Sequence, residues 1–239
     1  MARVPERNES PSAAPIGRRA FIGIVATGAT SVVWGAPVYE ALSQLARPFL
    51  GLLPQGVRTA FPSPDTGWRI YSVSPPYPTF DPVSWRLRID GLVGAAQSYS
   101  LRDLRALPRA EQVSDFHCVT GWSVPGVHWA GVRFADLLKA ARPLPQGRAL
   151  NFVSAEEPYT DSLTLRQAML SDAMLAYEMD GKPLTREHGA PVRLVMPQMY
   201  GYKGTKWVRR ITVTERPVPG FWEQRNYDQD AWVGRSNGY

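Results

Sequence analysis

The one cysteine of this 239-residue chain, Cys118, is the residue whose type most constrains the chemistry. A single cysteine forms no disulfide within the chain, so its thiol is a buried apolar filler, a nucleophile or a metal ligand. Thiolate is a soft ligand that suits thiophilic metals. Zinc is disfavoured, because there are only three histidines, no second cysteine and no paired ligand spacing. Nucleophilic catalysis with a histidine partner stays open, although no local sequence pattern supports it.

A second candidate region is the basic stretch 189–214, which contains five lysines and arginines and no acidic residue. At its centre, residues 201–206 form the glycine-rich sequence Gly-Tyr-Lys-Gly-Thr-Lys. Glycines let backbone N–H groups turn toward an anion, and lysine and threonine add charge and a hydroxyl. The spacing is not that of a P-loop. A solvated basic hairpin is the alternative, but the absence of a compensating carboxylate favours anion binding.

The third candidate is Tyr227, which closes the aromatic stretch 221–227. A tyrosine hydroxyl donates a proton or a hydrogen bond within a site, although most tyrosines are packing residues with a solvated hydroxyl.

Periodic patterns predict the elements that must position these residues. Alternating apolar and charged residues predict a half-buried strand over 85–89. Ser100 and Asp103 have capping-box spacing, which predicts a helix over 101–107. Apolar residues at i, i+3, i+4 and i+7 from Phe134 predict a second helix, ended by Pro143. Further predictions are a helical turn or two over 165–170 and strands over 113–118, 150–154, 173–179, 192–196 and 207–214. We expect an α+β fold, with mixed small sheets and peripheral helices.

The first 36 residues have the composition of a targeting segment, followed by a connector over 37–67 and a functional body over 68–239. Arg18-Arg19 precedes an apolar run of about 15 residues, which resembles a twin-arginine export signal. A plain secretory signal and a short membrane anchor are the alternatives, although the run is shorter than the ~20 residues that span a bilayer. We expect an exported protein in the periplasm or on the outer face of the cytoplasmic membrane, with an N-terminal segment that is either removed or kept as an anchor.

The net charge of +6 is spread along the chain without a long lysine or arginine run or an interleaved basic-aromatic stripe. We therefore predict no nucleic-acid partner. One cysteine also excludes an iron–sulfur cluster held by cysteines within this chain.

Three motifs occur in order along the body. They are Cys118-Val119-x-x-Trp122-Ser123 with Trp129-x-Gly131-Val132 following, then His188-Gly189-x-Pro191-Val192-Arg193-Leu194-Val195, and then Gly201 to Trp207. Together they resemble the molybdopterin-binding domain of the sulfite oxidase family, which includes the catalytic subunit of periplasmic protein-methionine-sulfoxide reductase. The resemblance covers roughly residues 68–232.

The resemblance implies a molybdenum-molybdopterin (Mo-pyranopterin) cofactor. The molybdenum is then held by the dithiolene sulfurs of one pyranopterin and by the thiolate of Cys118, and Tyr227 matches the family's active-site tyrosine. The family's pterin and phosphate contacts imply cofactor-binding roles for Tyr71, Ser72, Ser154, His188, Arg193, Lys203, Gly204, Thr205 and Lys206.

The implied reaction is oxygen-atom transfer at molybdenum. Sulfite oxidases place an arginine where Ser72 stands and an Asn-Arg pair where this chain has Gly121-Trp122. Their absence predicts reduction of a small-molecule or protein-bound sulfoxide or N-oxide. A sulfite dehydrogenase is the alternative enzyme, and a non-catalytic exported anion-binding module is the alternative from another class. We expect a monomer, because the family's dimerisation domain does not follow Tyr227. Its separate electron-transfer partner is then a membrane haem protein or a quinone-linked protein.

Overall fold

The computed structural model describes residues 67–236 of the protein. The predicted export segment and all but the last residue of the predicted connector lie outside the described residues, and those boundaries stay predictions.

Ten strands and three short α-helices make up the regular structure of this part of the chain. The strands are β1 (Leu87–Gly91), β2 (Gln97–Tyr99), β3 (Ala110–His117), β4 (Ser123–Arg133), β5 (Ala149–Ser154), β6 (Thr160–Thr164), β7 (Met174–Met179), β8 (Lys182–Pro183), β9 (Arg193–Val195) and β10 (Val208–Thr214). The helices are α1 (Leu101–Ala106), α2 (Phe134–Lys139) and α3 (Leu165–Ala168), with 3₁₀ turns at Gly201–Lys203 and Glu223–Arg225.

The strands form two five-stranded sheets. The first sheet has the order β2-β1-β10-β5-β6, in which β1 and β10 are parallel and the other pairs are antiparallel. The second has the order β3-β4-β7-β8, and β9 also pairs with β7. Two small sheets with short helices confirm the predicted α+β class.

Local sequence accounts for several of these elements. The Ser100 hydroxyl accepts from the backbone N–H of Asp103, and the Asp103 carboxylate accepts from that of Ser100, which confirms the predicted capping box. The predicted helix from Phe134 is also present, with its apolar face buried. Strand β4 was not predicted, because Pro125 and the glycines at 126 and 131 interrupt its alternation.

Two apolar cores support the sheets. The larger core contains Leu87, Phe134, Phe152 and Ile211, all less than 2% exposed. The smaller core is built around Trp68, Val127 and Trp129. Trp68 packs edge-on against the His188 ring at a centroid distance of 5.0 Å, so this smaller core borders the predicted site residues. Within residues 67–236, no helix is long and apolar enough to cross a membrane.

Candidate active site

A cavity of about 470 Å³ opens where loops from the two sheets meet. Its walls come from residues 68–73, the β3–β4 loop, the β5–β6 loop, the segments around β9 and the C-terminal residues 221–227. Eight of the eleven predicted site residues line it: Tyr71, Ser72, Cys118, His188, Arg193, Gly204, Lys206 and Tyr227.

Cys118 is the first residue of the hairpin loop between β3 and β4. The last pair of the hairpin is His117 with Ser123, so the loop begins immediately after the strand. The Cys118 N–H donates to the Trp122 carbonyl at 2.9 Å, and the Gly121 N–H donates to the Cys118 carbonyl at 3.0 Å. Gly121 has a φ of 89°, a conformation that favours glycine. This tight loop presents a partly exposed thiol to the cavity.

The donor set around Cys118 fits a metal that brings its own ligands. Among residues 67–236, no group of three or more histidine, cysteine, aspartate or glutamate side chains is placed to hold a metal ion. The Cys118 sulfur lies 3.2 Å from the Thr120 hydroxyl. A metal bound to this thiolate would therefore need further ligands from a cofactor, as the sulfurs of the predicted molybdopterin would provide.

Arg193 is a buried cation without a carboxylate partner in the described part of the chain. Only 4% of the residue is exposed, and its Nε has no hydrogen-bond partner. Nη1 donates to the His188 carbonyl at 3.3 Å, and Nη2 donates to the Gly204 carbonyl at 3.4 Å. Burial lowers the pKa of Arg193 to about 10. A desolvated guanidinium with an unused donor is suited to a bound anion.

Lys206 adds a second such cation to the same wall. Its Nζ donates to the carbonyls of Tyr71, at 2.7 Å, and Glu187, at 3.3 Å. Burial and, secondly, the charge of Arg193 lower the pKa of Lys206 to about 7. An anion placed between the two cations would raise the pKa of Lys206 again, so this wall has the charge that a phosphate requires.

His188 lies beside these cations as a neutral ring. Burial lowers its pKa to about 3, and the charges of Arg193 and Lys206 add to the effect. A neutral imidazole offers one N–H donor and one acceptor, so this residue is a hydrogen-bonding group and not a third charge.

Two glycines allow the backbone to approach the cations. Gly189 has a φ of 101°, and a Cβ there would lie 2.8 Å from Cβ of Lys206. A Cβ at Gly204 would lie 3.2 Å from Nη2 of Arg193. Side chains at these positions would crowd the two cations.

The remaining three predicted site residues do not line the cavity. Lys203 is fully buried, and its Nζ lies 2.5 Å from Asp161 and 2.6 Å from Glu223. The interpretation that no carboxylate compensates the basic stretch is therefore wrong for Lys203, because folding brings two carboxylates from distant segments. Thr205 is buried behind the wall, and its hydroxyl has no partner.

Ser154 also lies behind the wall. Its hydroxyl donates to the Lys206 carbonyl at 2.8 Å and accepts from the Glu156 N–H at 2.9 Å. This hydroxyl fixes the backbone on which Lys206 stands.

The structure adds site residues that the sequence did not indicate. Glu156, 4% exposed, accepts from the Ser72 hydroxyl at 2.5 Å and from the Val73 N–H at 2.9 Å, which fastens the 72–74 segment to the cavity. Aromatic residues form a further part of the lining, and two of them, Phe116 and Trp68, contact Arg193 and His188: Trp68, Phe116, Tyr159, Tyr202, Phe221 and Trp222. Two exposed cations, Arg69 and Arg225, also line the cavity. These residues come from separate segments without a shared local pattern.

Tyr227 lies between aromatic neighbours at the C-terminal wall. Its ring centroid is 4.9 Å from that of Trp222 and 5.2 Å from that of Tyr202. The preceding residue, Asn226, has a φ of 68°, which turns the chain back so that Tyr227 faces the cavity. The cavity thus has a cationic part around Arg193 and an aromatic part around Trp122.

Comparisons with known proteins identify the family of the chain. Residues 74–222 match the family described as oxidoreductase molybdopterin binding domain. The chain is 39% identical to uncharacterized oxidoreductase YuiH of Bacillus subtilis, an alignment that covers 74% of this chain and 87% of the relative. It is 30% identical to the protein-methionine-sulfoxide reductase catalytic subunit MsrP of Ralstonia nicotianae, covering 60% of this chain and 48% of the relative.

A solved structure shares the fold. The sulfane dehydrogenase SoxCD of Paracoccus pantotrophus superposes with a TM-score of 0.58 and 26% identity, covering 64% of this chain and 43% of that one. The chain therefore spans about half the length of the MsrP relative and less than half of the SoxCD chain.

Proposed function

Because this chain belongs to the family of oxidoreductase molybdopterin-binding domains and is therefore an enzyme, we propose that it reduces a sulfoxide or an N-oxide at a molybdenum bound through Cys118. The thiolate of Cys118 is the protein's metal ligand in this proposal. When bound, the molybdenum cofactor supplies the two-electron oxygen-atom transfer chemistry.

The cationic wall supports the binding of the cofactor's phosphate. Arg193 and Lys206 neutralise it, and the unused Nε of Arg193 and the neutral ring of His188 donate hydrogen bonds. Gly204 leaves room for close approach of the phosphate to the backbone. The segment with Tyr71 and Ser72, held by Glu156 and by the bond from Lys206 to the Tyr71 carbonyl, lines the cavity beside this wall.

The observation that carries the choice of substrate is the aromatic lining beside Cys118. The Trp122 ring lies 5.7 Å from that of Phe116 and 6.2 Å from that of Trp68, which gives a continuous apolar surface. Such a surface excludes water and binds a neutral, partly apolar substrate better than a dianion. The Trp122 indole N–H is buried without a partner among residues 67–236, so it is available to an acceptor oxygen.

Tyr227 is the proposed proton donor at this site. Reduction of a sulfoxide to a sulfide and water consumes two electrons and two protons. A group close to the substrate oxygen, either a hydroxyl or a bound water, must therefore donate these protons. The rings of Trp222 and Tyr202 fix the orientation of Tyr227.

Sulfite oxidation is the second candidate, and one observation favours it. Arg225 lines the cavity, with its guanidinium carbon 3.6 Å from the centre of the Phe221 ring and Nη1 donating to the Phe221 carbonyl at 2.6 Å. A guanidinium held in this way is suited to an anionic substrate. It is exposed, so its attraction for an anion is screened by solvent.

We further propose an exported monomer that receives electrons from a separate partner. The Arg18-Arg19 motif supports export. The MsrP relative is named a catalytic subunit, which supports a division between the catalytic chain and its electron carrier. A membrane haem protein or a quinone-linked protein fits that role.

Steady-state assays of the molybdenum-loaded enzyme test the proposal. With a reduced viologen as donor, methionine sulfoxide and trimethylamine N-oxide are the test substrates, and sulfite with an electron acceptor is the competitor. We expect sulfoxide or N-oxide turnover with a KM that rises about tenfold in Trp122→Ala and stays unchanged in Trp85→Phe, a control at a tryptophan that packs on the larger core and does not line the cavity. Sulfite turnover that disappears in Arg225→Gln, without turnover of the other two substrates, would favour the second candidate.

A further inference from the structure

The C-terminal wall of the cavity is carried by a segment without strand pairing. This segment, residues 218–230, is called the wall segment and lies alongside β6, the edge strand of the first sheet. The Phe221 N–H donates to the Thr160 carbonyl at 2.8 Å, and the Ser162 hydroxyl donates to the Val218 carbonyl at 2.7 Å. A segment with so few backbone bonds depends on side chains for its position.

The deepest of these side-chain links is a buried ion triad. Nζ of Lys203 lies 2.5 Å from a carboxylate oxygen of Asp161 in β6. It also lies 2.6 Å from a carboxylate oxygen of Glu223 in the wall segment. The side chains of Lys203, Asp161 and Glu223 are 0%, 2% and 5% exposed. Burial raises the pKa of Asp161, and Lys203 is the cation that holds both carboxylates in the interior, so loss of Lys203 alone would leave them without a partner.

Close packing of the wall segment surrounds the triad. A Cβ at Gly220 would lie 2.4 Å from the Thr160 carbonyl and 2.7 Å from a Glu223 carboxylate oxygen. The Phe221 ring stacks on Tyr159 at a centroid distance of 5.7 Å. The wall segment is therefore closely packed against β6 beside the ion triad.

Lys203 and Lys206 are three residues apart but have opposite environments. Lys206 lines the cavity and has no ion-pair partner in the described chain, whereas Lys203 has two and lies behind the wall. We infer that Lys203 is a positioning residue, which fastens the wall segment through Asp161 and Glu223 and so places Trp222 and Tyr227 against the cavity. This inference rests on the proposed function for its catalytic consequence but not for the fastening itself.

The test uses the full chain as purified, with Glu223→Gln as the first variant. This change removes the carboxylate at the wall end and keeps the pair of Lys203 with Asp161, so no buried charge is left without a partner. Hydrogen–deuterium exchange is measured by peptide, together with molybdenum and pterin per chain. We expect exchange in residues 218–230 to rise about tenfold, with other regions and cofactor content unchanged and with a lower kcat at similar KM.

Two further variants keep the inference falsifiable. Lys206→Met is the matched comparison, with cofactor content expected to fall while exchange in residues 218–230 stays unchanged. Lys203→Met combined with Asp161→Asn and Glu223→Gln neutralises the whole triad and should again loosen only residues 218–230.

Three results would overturn the inference. The first is unchanged exchange in the wall segment of Glu223→Gln, and the second is a uniform rise over the whole chain. The third is loss of cofactor from the triad variant with no change in wall-segment exchange, which would make Lys203 a cofactor ligand. Exchange is measured without a substrate, so failure of the sulfoxide assay leaves the result on the fastening intact.

Discussion

The guanidinium of Arg193 donates to the backbone carbonyl of His188 across 3.3 Å, at the cationic wall of the cavity. This bond and a longer one to Gly204 are the only hydrogen bonds of the Arg193 side chain in the described structure, although a guanidinium has five N–H donors. The protein therefore provides this buried guanidinium with few hydrogen-bond acceptors. The arrangement favours ligand binding at the expense of stability in the cofactor-free protein.

Replacement of Arg193 by methionine tests whether Arg193 favours cofactor binding at the expense of stability. We expect the cofactor-free variant to be as stable as the original protein or more stable by about 1 kcal/mol, because an apolar side chain of similar length removes a desolvated charge. Cofactor content should fall at least about tenfold. Urea unfolding and pterin analysis measure the two effects. Arg209→Met is the control, since Arg209 is exposed and pairs with exposed Glu157; a marked loss of stability in Arg193→Met alone would contradict the prediction.

Cys118→Ser should remove the metal without disturbing the fold. The residue is partly exposed in a hairpin loop, so we expect the free energy of unfolding to change by less than about 1 kcal/mol. Serine is a poor ligand for a thiophilic metal, so molybdenum per chain and the thiolate-to-metal absorption band should both be lost. Thr120→Val removes the neighbouring hydroxyl and should retain both. Full molybdenum content in Cys118→Ser would exclude the proposed site.

The lowered pKa of Lys206 leads to a prediction of how the stability of the cofactor-free protein depends on pH. Its pKa is about 7 in the fold against 10.5 ordinarily, so between these values the unfolded chain binds a proton that the folded chain lacks. Stability therefore rises with pH in this window, by up to about 1.4 kcal/mol per unit, and this contribution is constant below pH 7. Urea unfolding from pH 6 to 10 measures it. Subtraction of the Lys206→Met curve isolates the effect, and identical slopes in the two proteins would disprove it.

Tyr227→Phe separates proton donation from packing. The phenylalanine ring keeps the contacts with Trp222 and Tyr202, so KM and cofactor content should stay the same. We expect kcat with methionine sulfoxide to fall about 10²-fold, as for loss of a general acid. Tyr200→Phe is a suitable control, because Tyr200 does not line the cavity. An unchanged kcat in Tyr227→Phe would assign Tyr227 a packing role.

Local patterns identified the elements with regular periodicity and short-range caps. The helix after Ser100 and the helix from Phe134 were predicted because capping and an apolar face are properties of adjacent residues. Strand β4 was not predicted, because its proline and glycines interrupt the alternation of apolar and polar residues. The strand forms because it pairs with β3 and β7. The parallel pairing of β1 with β10 joins residues more than 100 positions apart, which no local pattern indicates.

The sequence by itself determined the chemistry of the site: a lone thiol, a basic glycine-rich loop and an aromatic C-terminal stretch in the order of a molybdopterin-binding family. Only the tertiary structure decided which cations face the cavity. Lys203 and Lys206 are indistinguishable by residue type, but distant Asp161 and Glu223 pair with Lys203, whereas Lys206 lines the cavity without an ion-pair partner among the described residues. The physical reason is that compensation of charge depends on distance in space, and folding alone sets that distance.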